Sequence, residues 1–128
     1  MGLDVALLRR AGILHDVGKV NEDWQLQIGG GNGRLLAKSG GNAGCERLLP
    51  VGWRHEHESM VRLLPRQEPM VTYLVGTHHG HGRPWFAVQD TPDEWVRLVL
   101  QLRDEYGPWR LTANEAALRI ADWRISAE

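Results

Sequence analysis

The chain has 128 residues, 42% of them hydrophobic and 24% charged, with a formal net charge of -1. This length predicts one domain with a modest core, and the near-zero charge excludes an overall basic field for nucleic acid, so any such contact must be local. The single Cys45 excludes an internal disulfide, no apolar run approaches the roughly 20 residues of a membrane span, and no leader opens the chain, so the expectation is a cytoplasmic protein without membrane contact.

In chain order, residues 3–17 predict a first helix, because Leu3, Leu7, Ala11 and Leu14 recur at helical spacing. His15 falls at the edge of that face, Asp16 is one position round, and Lys19 follows three and four residues after the pair. Gly18 either ends the helix or lets the backbone pass close to a neighbour. Residues 21–27, with Trp24, predict a short helical turn. Gly29-Gly30-Gly31-Asn32-Gly33 and Gly40-Gly41-Asn42 lack the Gly-Lys-Ser/Thr ending of a phosphate loop. They predict a flexible loop, made locally basic by Arg34 and Lys38.

After the turn at Pro50-Val51-Gly52, a helix is predicted from Trp53 to Leu64 and stopped by Pro65. His57, Met60, Val61 and Leu64 form its stripe, with His55 and Ser59 as an i, i+4 pair beside it. Pro69 opens the next helix; there Val71, Leu74, Val75 and His78 place His78 on the buried face, and Gly80 stops it. A loop over 81–89 carries Arg83-Pro84-Trp85-Phe86. Thr91-Pro92-Asp93-Glu94 is a capping box for a helix bearing Trp95, Leu98, Val99 and Leu102, ended by Gly107-Pro108. Thr112-Ala113-Asn114-Glu115 is a second box, opening a last helix with Leu118, Ala121 and Ile125 on its apolar face and Asp122 turned inward beside them. No strand alternation is visible. The expected fold is all-α, about five helices in a single domain over 1–128, with the six tryptophans assigned to packing.

The chemistry-bearing pattern is a set of polar residues on apolar faces: His15, Asp16, His55 or His57, His78 and Asp122. An unpartnered buried carboxylate is costly. Two carboxylates and several imidazoles on four helices therefore want a common counter-charge, which a divalent metal supplies. Nitrogen and carboxylate ligands without thiolates suit Mn, Mg, Ni, Co, Fe or Zn, and one ion or two. A metal pair would activate a water and clamp phosphoryl oxygens.

These residues, in this order, resemble the HD phosphohydrolase superfamily, an all-helical, metal-dependent group. Four blocks are similar to its CRISPR-associated branch, the HD nuclease of type I interference: Leu14-His15-Asp16-Val17-Gly18-Lys19 with Trp24-Gln25 after it, Arg54-His55-Glu56-His57-Glu58-Ser59, His78-His79-Gly80 with a basic loop at Arg83-Pro84, and Arg119-Ile120-Ala121-Asp122 near the end. The resemblance implies that Asp16 bridges two metals, that His55 (rather than His57), His78 and His79 complete one site, and that His15 and Asp122 serve the other. It implies that Lys19 meets the phosphate or stabilises transition-state charge. It further implies metal-dependent cleavage of single-stranded DNA in antiviral defence, with a helicase domain or subunit and a crRNA-guided surveillance complex as partners. That family carries a further histidine on an upstream helix, whereas the 14 residues before His15 contain none; the expectation is a helical bundle truncated at its N-terminus. Two other readings are an HD phosphohydrolase acting on nucleotides or cyclic dinucleotides, and a catalytically impaired metal-binding or scaffold module.

Overall fold

The computed structural model describes residues 2–30, 33–37, 49–82 and 91–128. Among these it is all-α, with α1 Val5–Leu14, α2 Glu22–Gln27, α3 His55–Leu63, α4 Pro69–Thr77 and α5 Asp93–Ser126, and a 3-10 turn at Val17–Val20 between α1 and α2. The all-helical expectation of about five helices holds. Gly31, Asn32, Lys38, Gly40-Gly41-Asn42, Cys45 and the Arg83-Pro84-Trp85-Phe86 stretch lie outside the described residues. No described helix is long and apolar enough to cross a membrane.

Helix α4 is the hub. It packs against α1, α3 and α5, and every residue from Met70 to Thr77 is buried. A helix covered on all sides must be apolar on all sides, which Met-Val-Thr-Tyr-Leu-Val-Gly-Thr nearly is. Two of its polar side chains find partners inside: Thr77 Oγ1 donates to the Tyr73 carbonyl at 2.9 Å, and the Tyr73 hydroxyl donates to the buried Glu115 carboxylate of α5. Around α4 the core gathers Ala11, Met60, Leu63, Trp95, Val99, Leu102, Leu111 and Leu118. Each large apolar side chain buried there contributes about 1.5–3 kcal/mol.

Three sequence expectations need correction. The first helix is shorter than 3–17. It starts at Val5 because Asp4 caps it, Oδ1 accepting the Leu7 N–H at 3.1 Å, and it stops at Leu14. On one continuous helix His15 and Asp16 would point about 100° apart; the break between α1 and the 3-10 turn lets both face one centre.

Of the expected stripe through His57, Met60, Val61 and Leu64 only Met60 is buried; the buried side of α3 is Glu56, Ser59, Met60 and Leu63. Val61 is exposed. Polar partners draw Glu56 and Ser59 inward, which a reading of hydrophobic period has no means to register.

The expected break at Gly107-Pro108 is present, but the last helix restarts at Pro108 rather than at the Thr112 box. Gly107 takes φ 75° and ψ 157°, a conformation glycine adopts without steric cost, and Pro108 resumes the helix at once. The Thr112 box therefore lies inside a helix, and its Glu115 is committed to Tyr73. The inward face runs Leu111, Asn114, Glu115, Leu118, while Ala121 and Ile125 are exposed.

Candidate metal centre

The site forms where the ends of α1, α3 and α4 meet the last turns of α5. Its floor is the 3-10 turn lying on α3. A Cβ on Gly18 would stand 2.2 Å from the His55 carbonyl oxygen, so only glycine permits this approach. The Gly18 N–H donates to Ser59 Oγ at 2.7 Å, and that hydroxyl donates to the His15 carbonyl at 3.1 Å. Ser59 thus ties both sides of the His15-Asp16 break to α3. Gln25 performs a similar task one layer out. Its Nε2 donates to the Lys19 carbonyl at 2.6 Å and the Leu36 carbonyl at 2.9 Å, and its Oε1 accepts the Leu36 N–H at 2.8 Å.

The imidazoles are oriented by what their outer nitrogens reach. His15 Nδ1 lies 2.7 Å from the Gly12 carbonyl and His78 Nδ1 lies 2.6 Å from the Val75 carbonyl. A carbonyl only accepts, so both Nδ1 atoms carry the proton and both Nε2 atoms are bare in the neutral rings. His55 Nδ1 faces Glu56 Oε2 at 3.5 Å, and Arg54 Nε stands 3.3 Å from Glu56 Oε1. The result is a carboxylate–imidazole contact in which a buried glutamate lies behind a ring that could serve as a ligand.

Inside these supports the remaining donors converge. Asp16 Oδ1 is 3.3 Å from His55 Nε2, while Asp16 Oδ2 is 3.4 Å from His15 Nε2 and 2.7 Å from Lys19 Nζ. His15 Nε2 is also 3.3 Å from Asp122 Oδ1. His79 Nε2 lies 3.1 Å from His55 Nε2, and the His78 ring packs against His79 with centroids 4.0 Å apart. Two compact ligand groups result: His55, His78 and His79, and His15, Asp16 and His78, each with its donor atoms within 4.8 Å of one another. All seven residues singled out from the sequence, Lys19 included, are therefore neighbours. His78 belongs to both groups, and Asp16 offers one oxygen toward each side. Asp122 approaches through His15.

The electrostatics favour a cation. Burial works to raise the Asp16 carboxyl, but the facing His55 ring, the Lys19 ammonium bonded to Oδ2 and the charge of His15 overcome it and hold the group well below the ordinary carboxylate range. Burial pushes the His78 imidazole down to about 4, only partly offset by its bond to Val75. Burial also lowers His79, with Glu56 opposing and His55 reinforcing the shift. His78 and Asp16 are thus in the forms that could bind a metal, neutral imidazole and carboxylate. Two buried atoms at the centre, His78 Nε2 and Asp16 Oδ1, make no hydrogen bond to any described residue. Such orphans are rare and call for an explanation.

A divalent ion fits this donor set. Ligand atoms sharing one ion at about 2.1 Å stand roughly 3.0–3.4 Å apart, the spacing seen between His55 and His79, His55 and Asp16, and His15 and Asp122. Sequence reasoning missed two contributors. Glu56 orients His55, and its only signal was adjacency to that histidine. Ser59 is the clamp, and its signal was the i, i+4 pairing with His55.

The HD domain family model matches residues 1–123. No curated protein and no solved structure matches the chain.

Proposed function

Since the chain belongs to the HD domain family, typically metal-dependent hydrolases that bind divalent ions, we propose that it is a phosphodiesterase cleaving single-stranded DNA. The observation that carries the hydrolase reading is the convergence of three imidazoles and the Asp16 carboxylate around His78, whose Nε2 has no hydrogen-bond partner among the described residues. In this reading His55, His78 and His79 would hold one ion, His15 and Asp122 would serve a second, and Asp16 would contribute to both. A bound ion of the Mn, Mg, Ni, Co or Fe type would activate a water and neutralise phosphoryl oxygens.

The chain's own groups do the rest. Asp16 stays ionised down to acid pH and so remains a ligand. Lys19 places an ammonium 2.7 Å from Asp16 Oδ2, where it would stabilise the negative charge of the transition state. Glu56 keeps His55 aimed inward.

Two features support a DNA strand as substrate. The four blocks around His15-Asp16, His55, His78-His79 and Asp122 resemble the CRISPR-associated HD nuclease of type I interference. The groove that reaches His55 and His79 is open rather than closed, about 430 Å³, as a passing polymer requires. On this reading the partners are a helicase domain or subunit and a crRNA-guided surveillance complex, and the role is antiviral defence. The test is metal analysis together with cleavage of single-stranded DNA by the wild-type chain and Asp16→Ala. Bound metal and Asp16-dependent cleavage are expected. Asp16-dependent hydrolysis of nucleotides or cyclic dinucleotides with an intact strand would replace the DNA reading. Absence of both metal and hydrolysis would leave a scaffold module.

A further inference from the structure

The groove beside the metal ligands ends in an aromatic pair. Trp24 on α2 and Trp53 just before α3 stack with centroids 6.4 Å apart and planes 30° from parallel. Both indoles line the same groove as Arg54, His55, Glu56, His79 and His81. Its volume of about 430 Å³ falls within the range of small-molecule sites, roughly 300–1,000 Å³.

We propose that Trp24 and Trp53 form a stacking platform for a nucleobase of the strand whose phosphodiester lies at the metal centre. This rests on the hydrolase reading above and adds to it a subsite selective for base-bearing substrates. Three observations support it. First, the pair is not core. Trp95 is fully buried, whereas Trp24 and Trp53 are only half-buried and keep surface in the groove. Second, the platform is rigidly tied to the centre. Trp53 lies two residues before His55, and Trp24 precedes Gln25, whose side chain donates to the Lys19 carbonyl at 2.6 Å. Third, the charge at that end suits an anionic strand. The Glu56 carboxylate is buried and paired with Arg54 and His55, so no unpaired carboxylate among the described lining residues repels a strand. Stacking would be tolerant of base identity, because every base presents a π face.

The test separates base from backbone. Binding of an oligothymidylate and of an abasic strand of the same length is measured in EDTA, by quenching of tryptophan fluorescence and by anisotropy of the labelled strand. For the wild type the base-bearing strand is expected to bind roughly tenfold more tightly and to quench more strongly. Trp53→Leu should reduce that ratio to near one, and Trp53→Phe, which keeps an aromatic face, should restore most of it. A purely structural pair would not make the ratio depend on the bases. Equal affinity of the two strands for the wild type, or a ratio unchanged in Trp53→Leu, overturns the platform. Cleavage of both strands with Mn²⁺ is assayed in parallel with Asp16→Asn. Asp16-dependent cleavage with no base preference overturns the platform alone. No Asp16-dependent cleavage of either strand overturns the hydrolase reading, and with it the platform as a substrate subsite.

Discussion

His78 is one of the most completely buried polar side chains in the described core, at 1% exposure. One ring nitrogen is bound by the Val75 carbonyl and the other has no hydrogen-bond partner among the described residues. Its folded-state value of about 4 lies below the ordinary 6.5, so the folded protein disfavours the protonated ring. For a group lowered on folding, the stability it contributes is present in full above 6.5. That stability is lost as pH falls from 6.5 toward 4, because the unfolded chain takes up the proton first. Metal-free protein in EDTA should therefore lose up to about 3 kcal/mol of unfolding free energy across this window, as read by urea denaturation. His78→Leu should flatten most of that slope. A slope as steep in the variant would assign the effect to other groups. Glu56 tests the same ring cluster from outside. Glu56→Gln keeps its size but weakens its hold on the His55 N–H, and a 10–100-fold loss of Mn²⁺ affinity is expected by calorimetric titration.

At the scale of elements, the site depends on one contact, between the 3-10 turn and α3. Ser59→Ala removes the acceptor of the Gly18 N–H and the donor to the His15 carbonyl together. A buried group left unpaired costs about 1–3 kcal/mol, so thermal unfolding should shift downward by that amount. Gly18→Ala should cost at least as much, since its new methyl meets backbone rather than a movable side chain. Much of this architecture was legible in the sequence: the helical spacing of α1 and α4, Pro69 at the start of α4, and the inward face that carries His78. The break at His15-Asp16 was not, because it depends on Ser59, 44 residues further on. The buried stripe of α3 was misread for a related reason. Ser59 and Glu56 are held inward by hydrogen bonds and charges that no hydrophobic period encodes. The break at Gly107-Pro108 was legible in that dipeptide; the restart at Pro108 was not, because the Thr112 box looks like a cap while its Glu115 is committed to Tyr73. Asp122 was placed correctly through its spacing from Leu118, although Ala121 and Ile125, expected on the same face, are exposed.

At the scale of the whole molecule, the centre draws its donors from both ends of the chain, from His15 after α1 to Asp122 near the end of α5. Between them come the first residue of α3 and the turn after α4. Unfolding scatters these groups, so a divalent ion binds the folded chain far better than the unfolded one and stabilises it by mass action. At an ion concentration about 100 times its dissociation constant, the gain is about 2.7 kcal/mol. For a chain of this size that corresponds to a rise in Tm of roughly 10 °C. Scanning calorimetry in EDTA, and then with Mg²⁺, Mn²⁺, Co²⁺ and Ni²⁺ in turn, should show this rise and rank the ions. Asp16→Asn should abolish it, since Asp16 offers an oxygen to each side of the cluster. Asp122→Asn should diminish it while leaving the His55, His78 and His79 group intact, because Asp122 approaches the cluster through His15. An undiminished rise in Asp16→Asn would place the stabilising ion elsewhere on the molecule. A full loss in Asp122→Asn would mean that the two ligand groups act as one cooperative site, because the distant carboxylate would then control ions bound by histidines it does not touch.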